Sequence, residues 1–348
     1  MLDESSQLAP MNKPSPKYAK ISVSDTCCVM KSQHTNDESF AVEVQSGLSK
    51  KEKTIPSKFL YDKKGSELFD KICELEEYYL TKKELEILDS FKDEFGSHLD
   101  GRYSLVELGS GSAIKTRHIF DILSPRQDRI EYYPIDISDV IEESSQRLQE
   151  EFENLHITGI VDQYESGLEH VQKMEGKKII AFFGSSIGNF DQHDAVEFLK
   201  TIHDSINKED LFLAGFDLVK EKDVLESAYN DSRGTTAEFN LNILSRINRE
   251  LEGSFPVEKF EHFSFYNPEK KRIEMHLRSK VDQIVKIPKA GLQLEFKRGE
   301  TIRTEYSHKF TIPQIKEMAR LSGFKVKQIW TDRQEYFALG LFSKEEGN

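Results

Sequence analysis

The chain has 348 residues, of which 37% are hydrophobic and 31% charged, with a formal net charge of −13. That length accommodates one large domain or two smaller ones around a sizeable core, and the acidic balance argues against sequence-independent binding to nucleic acid, which needs a cationic surface. No apolar run approaches the roughly 20 residues of a membrane span, and the N-terminus lacks the basic-then-apolar order of a secretory signal, so a cytoplasmic protein without membrane or nucleic-acid partners is expected.

Residues 1–48 are rich in Ser, Lys, Asp and Gln, a composition that cannot offset chain entropy by burial, and read as a largely disordered leader. Cys27 and Cys28 fall in it and Cys73 stands alone, giving neither a disulfide framework nor a zinc quartet. The ten histidines offer no His-x-x-x-His pair, so no metal is expected. From Ile55 the character changes. Phe59, Leu60, Leu68, Phe69, Ile72 and Leu75 recur at helical spacing, and a second helix follows Thr81 with Leu85, Leu88, Phe91 and Phe95 inward.

Between about 103 and 217 strands and helices alternate. The strand candidates are 103–108, 131–135, 156–161, 178–183 and 211–217, and the order predicts a parallel, doubly wound sheet. Residues 220–309 break the alternation with a helical stretch and then Phe263/Phe265, Ile273/Met275/Leu277 and Leu292/Leu294/Phe296, which predict an inserted antiparallel sheet. At the far end, 324–330 and 335–342 are joined by a short turn and must pair antiparallel.

The most telling segment is Val106-Glu107-Leu108-Gly109-Ser110-Gly111-Ser112, an apolar strand running into a glycine turn and then a helix from about Thr116. Such a turn lets the backbone approach a nucleotide at the carboxyl end of the strand. Ile114, followed by Lys115, stands where a third dinucleotide-binding glycine would fall. The second strand ends in Asp136, an acid suited to ribose hydroxyls. Together these point to S-adenosylmethionine, with a nicotinamide dinucleotide as the alternative from the same two features.

Further motifs narrow the reading. They are Phe59-Leu60-Tyr61-Asp62-x-x-Gly65-Ser66-x-Leu68-Phe69-Asp70, Glu77-Tyr78-Tyr79-x-Thr81, Glu107 to Arg117, Phe183-Gly184-Ser185-Ser186-Ile187-Gly188-Asn189, and Asp217-Leu218-Val219-Lys220. Ala228-Tyr229-Asn230-Asp231, Phe239-Asn240-x-Asn242, Arg272-Ile273-Glu274-Met275 and Thr304-Glu305-Tyr306-Ser307-x-Lys309-Phe310 complete the set. From about Ser57 to Phe342 the chain resembles the L-histidine Nα-methyltransferases of ergothioneine biosynthesis.

The resemblance implies a class I, Rossmann-like methyltransferase fold with an inserted α+β substrate-binding domain. Residues 49–82 with 220–309 would bind the amino acid, and 83–219 with 310–348 the S-adenosylmethionine. It implies an enzyme that trimethylates the α-amino group of L-histidine to hercynine; a monomer is the default expectation. Gly109, Ser110, Gly111, Lys115, Asp136, Gln163, Tyr164 and Gly184 would line the cofactor site. Glu305 and Ser307 would hold the imidazole, Tyr78 and Tyr229 the carboxylate, and Tyr61 and Asn189 the α-amino group, with Met275 in the same pocket. Tyr61 would orient the amine or relay its proton. A different amine substrate, or a non-catalytic sensor, is the alternative.

These roles make physical sense but are not forced by the residues. Glu305 and Ser307 are two apart on an expected strand and so share a face, where a buried carboxylate would favour a protonated imidazole and reject apolar side chains. Read alone, they also fit a surface ion pair, Tyr78, Tyr229 and Met275 fit core positions, Asn189 fits a turn, and Lys115 fits a solvated lysine. The chain departs from the family in having Glu76 and Leu80 where prolines flank Glu-Tyr-Tyr. It also has Asp162-Gln163-Tyr164 where an Asp meets the adenine amino group, so either Gln163 or, by a one-residue shift, Asp162 would take that contact.

Overall fold

A computed structural model describes residues 18–32, 36–138 and 140–345. In chain order, β1 (Tyr18–Ser24) and β2 (Cys27–Ser32) form a hairpin, followed by α1 (Asn36–Leu48), β3 (Lys53–Thr54), a 3-10 turn at Ser57–Leu60, α2 (Lys63–Glu74), α3 (Tyr79–Ser90) and α4 (Lys92–Ser97). Strand and helix then alternate through β4 (Tyr103–Leu108), α5 (Thr116–Leu123), β5 (Ile130–Asp136), α6 (Val140–Glu151), β6 (Leu155–Val161), α7 (Tyr164–Val171), β7 (Lys177–Phe182), α8 (Gln192–Ser205) and β8 (Leu211–Asp217). Next come α9 (Lys222–Ala228), α10 (Thr235–Glu250), β9 (Phe260–Asn267), β10 (Arg272–Ser279), β11 (Gln283–Ile287), β12 (Leu292–Phe296) and β13 (Thr301–His308). The described chain closes with α11 (Ile312–Leu321), β14 (Phe324–Thr331) and β15 (Phe337–Lys344).

The main sheet runs β1-β2-β6-β5-β4-β7-β8-β15-β14. The pairs from β2 to β8 are parallel, and β15 lies antiparallel between β8 and β14. Its central strands are apolar on both faces because helices cover both: every residue of β8 is buried, and β4 is buried at all positions but Ser104. Winding outward from β4 reverses between β5 and β7, creating the crevice where such sheets bind ligands. This is the class I, Rossmann-like methyltransferase architecture, and all five expected parallel strands are present within a residue of their expected limits.

A second sheet, β3-β13-β10-β9, joins residues 53–54 to the inserted segment, and β11 pairs with β12 beside it. The helical part is tied down by Asp62, which caps α2 through the Gly65 N–H at 2.8 Å and accepts from Asn242 and Arg249 of α10 at 2.7 and 2.6 Å. A glycine is required at Gly65, since a β-carbon there would lie 1.7 Å from the Leu60 carbonyl oxygen.

The disordered-leader expectation needs correction. Residues 18–32 extend the main sheet, with β2 parallel to β6, and 36–48 form α1, which buries Phe40, Val44 and Leu48. The hairpin has little apolar surface of its own but packs Val29 against Ile141 and Val161, so the core that its composition lacks is supplied by β6 and α6. Residues 1–17 and 33–35 lie outside the described residues. Among the described residues no helix is long and apolar enough to cross a membrane, and no group of His, Cys, Asp and Glu converges as a metal site.

Candidate active site

The carboxyl ends of β4, β5 and β7 open into a cavity of about 490 Å³ whose opposite wall comes from β10 and β13 of the second sheet. Tyr61, Tyr78, Asn189, Tyr229, Met275, Glu305 and Ser307 line it, as do Gly109, Ser110, Gly111, Lys115, Asp136, Gln163, Tyr164 and Gly184. The fold therefore brings together every site residue expected from the sequence. A concave, mixed apolar and polar cavity of this size suits small-molecule ligands.

At the sheet end, Gly109 and Gly111 have φ of +72° and +48°, which β-carbons disfavour. A side chain at Gly109 would also meet the Tyr164 hydroxyl at 2.7 Å. The Gly109 N–H donates to the Ile135 carbonyl at 2.8 Å, fixing the turn against the end of β5. There Asp136 accepts from the Ser138 N–H and hydroxyl, both at 2.9 Å, and more weakly from the Gly111 N–H at 3.4 Å. Burial raises its carboxyl above the ordinary range, with the Ser138 bonds opposing. The Ser110 hydroxyl is buried and makes no hydrogen bond of good geometry among the described residues. An open glycine cradle, a spare hydroxyl and an acid with acceptor capacity left over fit a ligand bearing ribose hydroxyls and a polar chain. Gln163 faces this region, whereas Asp162 is occupied elsewhere, accepting from the Tyr18 hydroxyl at 2.8 Å and the Gln163 N–H at 2.7 Å.

Glu84 completes this end, and the sequence reading missed it. Fully buried on α3, it accepts the Gly184 N–H on both oxygens and pairs with Lys115 at 2.7 Å. Burial opposes the Lys115 charge, but Glu84 holds its ammonium above the ordinary range. An acid amid the buried stripe Leu80, Ile87 and Leu88 was the available signal, since unpaired acids are rarely fully buried.

At the other end, Met275 of β10 stands directly opposite Glu305 of β13. Glu305 is 8% exposed and its carboxylate accepts no hydrogen bond among the described residues. Burial pushes its carboxyl up to about 7, with Lys309 pulling it down. Tyr78 and Tyr229 meet edge to face at 6.2 Å, and Tyr61 packs on Phe69 and Phe239 at 5.3 and 5.4 Å. The hydroxyls of Tyr61 and Tyr78 and the amide of Asn189 have no hydrogen-bond partner among the described residues. Burial, and next Glu305, raise the Tyr61 phenol well above its ordinary value, and burial does the same for Tyr78. Asn189 is delivered by the turn after β7, where Ser185 adopts φ +57° and accepts the Asp217 N–H at 2.8 Å. That turn presses on β13 so closely that a β-carbon at Gly188 would sit 2.8 Å from the His308 carbonyl oxygen.

Beneath the tyrosines lies a buried charged cluster that the sequence reading quoted in motifs without giving it a role. Lys309 donates to Asp217 at 2.6 Å, Ser307 at 2.8 Å and Tyr229 at 3.1 Å, and the Tyr229 and Ser307 hydroxyls share a hydrogen bond of 2.8 Å. Asp217 also pairs with Lys220 and accepts from Tyr79 at 2.8 Å. Alternation was the signal for Lys309, since Glu305, Ser307 and Lys309 fall on one face.

A family model described as histidine-specific methyltransferase, SAM-dependent, matches residues 40–344. The chain is 35% identical over 307 residues to the histidine N-alpha-methyltransferase of Mycolicibacterium smegmatis and 37% identical over 303 residues to that of Mycobacterium tuberculosis, in each case covering 87% of this chain and 94% of the relative. It is 28% identical over 283 residues to ergothioneine biosynthesis protein 1 of Schizosaccharomyces pombe, spanning 78% of this chain but 36% of that longer protein. With the glycine turn, the acid after the second strand and the second-sheet pocket in one cavity, the chain belongs to the histidine-specific, SAM-dependent methyltransferases.

Proposed function

We propose that the protein methylates the α-amino group of L-histidine three times with S-adenosylmethionine, giving hercynine, the first step of ergothioneine-type biosynthesis. The observation that carries this reading is Glu305, a buried acid without a partner among the described residues, facing the same cavity as the glycine turn and Asp136.

Bound S-adenosylmethionine supplies a methyl group activated by its sulfonium centre. Asp136 takes ribose hydroxyls, Gln163 and Tyr164 the adenine end, and Gly109, Ser110, Gly111, Lys115 and Gly184 line the rest of that site. Glu305 and Ser307 hold the imidazole, Tyr78 and Tyr229 the carboxylate, and Met275 supplies an apolar wall. Tyr61 and Asn189 orient the amine. Because its phenol is held well above the ordinary value, Tyr61 keeps its proton, so its oxygen aims the amine lone pair, and the proton that the amino group sheds before each transfer passes to water. Catalysis by this site is chiefly positioning. On this reading the two sheets divide the work, 49–82 with 220–309 holding the amino acid and 83–219 with 310–348 the methyl donor, in a cytoplasmic monomer.

The test is mass spectrometry of products after incubating the purified protein with S-adenosylmethionine and an equal mixture of the common amino acids. Trimethylated histidine is the expected product. Methylation of another amine would overturn the pocket assignment, and cofactor binding without product would overturn catalysis.

A further inference from the structure

The cluster under the pocket settles which way its protons point, and this deepens the reading above, on which it rests. Lys309 has three N–H bonds, and Asp217, Ser307 and Tyr229 receive them. An ammonium accepts nothing, so neither hydroxyl can send its proton to Lys309. Tyr229 has one proton, and in holding the substrate carboxylate it gives that proton to the carboxylate. The 2.8 Å bond between the two hydroxyls must then run from Ser307 to Tyr229. Ser307 thus has its proton committed, one lone pair on Lys309, and one lone pair left for the cavity. Glu305, when ionised, is also an acceptor only.

We propose that Lys309 and Tyr229 act as positioning residues that fix Ser307 as an acceptor, so that Glu305 and Ser307 together bind the histidine side chain as its doubly protonated imidazolium.

The charges around the site agree. Asp217 at the end of β8, Lys220 just beyond it, Tyr79 on α3, Tyr229, Tyr266 on β9, and Glu305 and His308 on β13 surround Lys309. Burial keeps the tyrosines protonated and His308 neutral. That leaves two lysines against two carboxylates, a neutral set. With the α-amino group neutral, as attack on the methyl group requires, a substrate with an ionised carboxylate and a cationic ring adds no net charge to this interior, whereas a neutral ring adds an uncompensated negative one. The selection is therefore for a side chain with two N–H groups, and a ring with one N–H leaves an acceptor unpaired.

The experiment is nitrogen-15 NMR of ring-labelled histidine bound to the full-length enzyme without methyl donor at pH 8, where about 97 of every 100 free rings are neutral. Both ring nitrogens of bound histidine are expected to carry protons. One bare nitrogen at pH 8 would overturn the proposal. In Tyr229→Phe the Ser307 proton has no phenol to go to and turns toward the ring, and the bound ring is expected to titrate at least tenfold lower in affinity for its proton. An unchanged titration in that variant would also overturn it. Failure of the functional reading has a separate signature, no bound histidine and no methylated histidine, and would take this proposal with it.

Discussion

The carboxylate of Glu84 reaches across from α3 to receive the Gly184 backbone N–H on both of its oxygens, at 3.0 and 2.9 Å. One of these oxygens, Oε2, also holds Lys115, so one buried acid sets both the turn after β7 and the cation after the glycine turn. Glu84→Gln keeps an acceptor for Gly184 but removes the ion pair. A charge-assisted hydrogen bond contributes about 1.5–3 kcal/mol, so affinity for S-adenosylhomocysteine is expected to fall roughly tenfold, with the histidine KM much less affected. Calorimetric titration checks this, and unchanged affinity would remove Glu84 from the cofactor site.

Glu305→Ala is expected to lower kcat/KM for histidine about 10- to 100-fold, the loss that corresponds to one charge-assisted hydrogen bond of roughly 1.5–3 kcal/mol. Affinity for S-adenosylhomocysteine should stay within about twofold, because this residue faces the other end of the cavity. Steady-state kinetics with each substrate varied separates the two. A variant as active on histidine as the parent would mean that the ring binds elsewhere.

The same residue should act oppositely on stability. Its carboxyl is held at about 7 in the fold against an ordinary 4.5, burial being the main cause. The folded state thus keeps a proton that the unfolded chain releases earlier. Stability tied to that proton is whole below about 4.5 and is lost as pH rises through about 7. Glu305→Gln, permanently neutral, should match the parent in thermal melts at pH 4.5 and exceed it at pH 8 by on the order of 1–3 kcal/mol. An equal difference at both pH values would contradict the raised carboxyl.

Tyr18 links the N-terminal hairpin to the loop before α7 through its 2.8 Å bond to Asp162, one residue before Gln163. Tyr18→Phe is expected to raise the KM for S-adenosylmethionine by a few-fold and to leave that for histidine unchanged. Deleting residues 1–32 uncovers the edge of β6 and should in addition promote self-association, since an unpaired parallel edge is a template for other strands. Kinetics and light scattering measure the two effects. A deletion with unaltered KM and no aggregation would make the hairpin dispensable.

What could be read in advance follows from how local each signal is. The run Leu105 to Leu108 ending in Gly109 carries its strand, its turn and its place at the crevice in consecutive residues, and Asp136 does the same at the end of β5. The hairpin could not be read this way, because Val29 gains its burial from Ile141 and Val161, far along the chain. Glu84 and Gly184 are 100 residues apart and Asp217 and Lys309 are 92 apart, so their pairing exists only once the sheets are assembled. Lys309 was the nearer miss, as the alternation that joined Glu305 to Ser307 extends one step further to it.

Immediately after Ser307, the chain is stitched to the main sheet. The Phe310 N–H donates to the Asp217 carbonyl at 2.8 Å, and the Phe310 carbonyl accepts the Val219 N–H at 2.9 Å. On the proposed reading, the pocket floor that grips the side chain is thereby fastened to the scaffold that carries the methyl donor. On that reading the site would work as a ruler, measuring from the far end of the amino acid to its nitrogen. A side chain longer by one methylene brings its amine out of line, and a displacement of about 1 Å is enough to cost on the order of a hundredfold in rate.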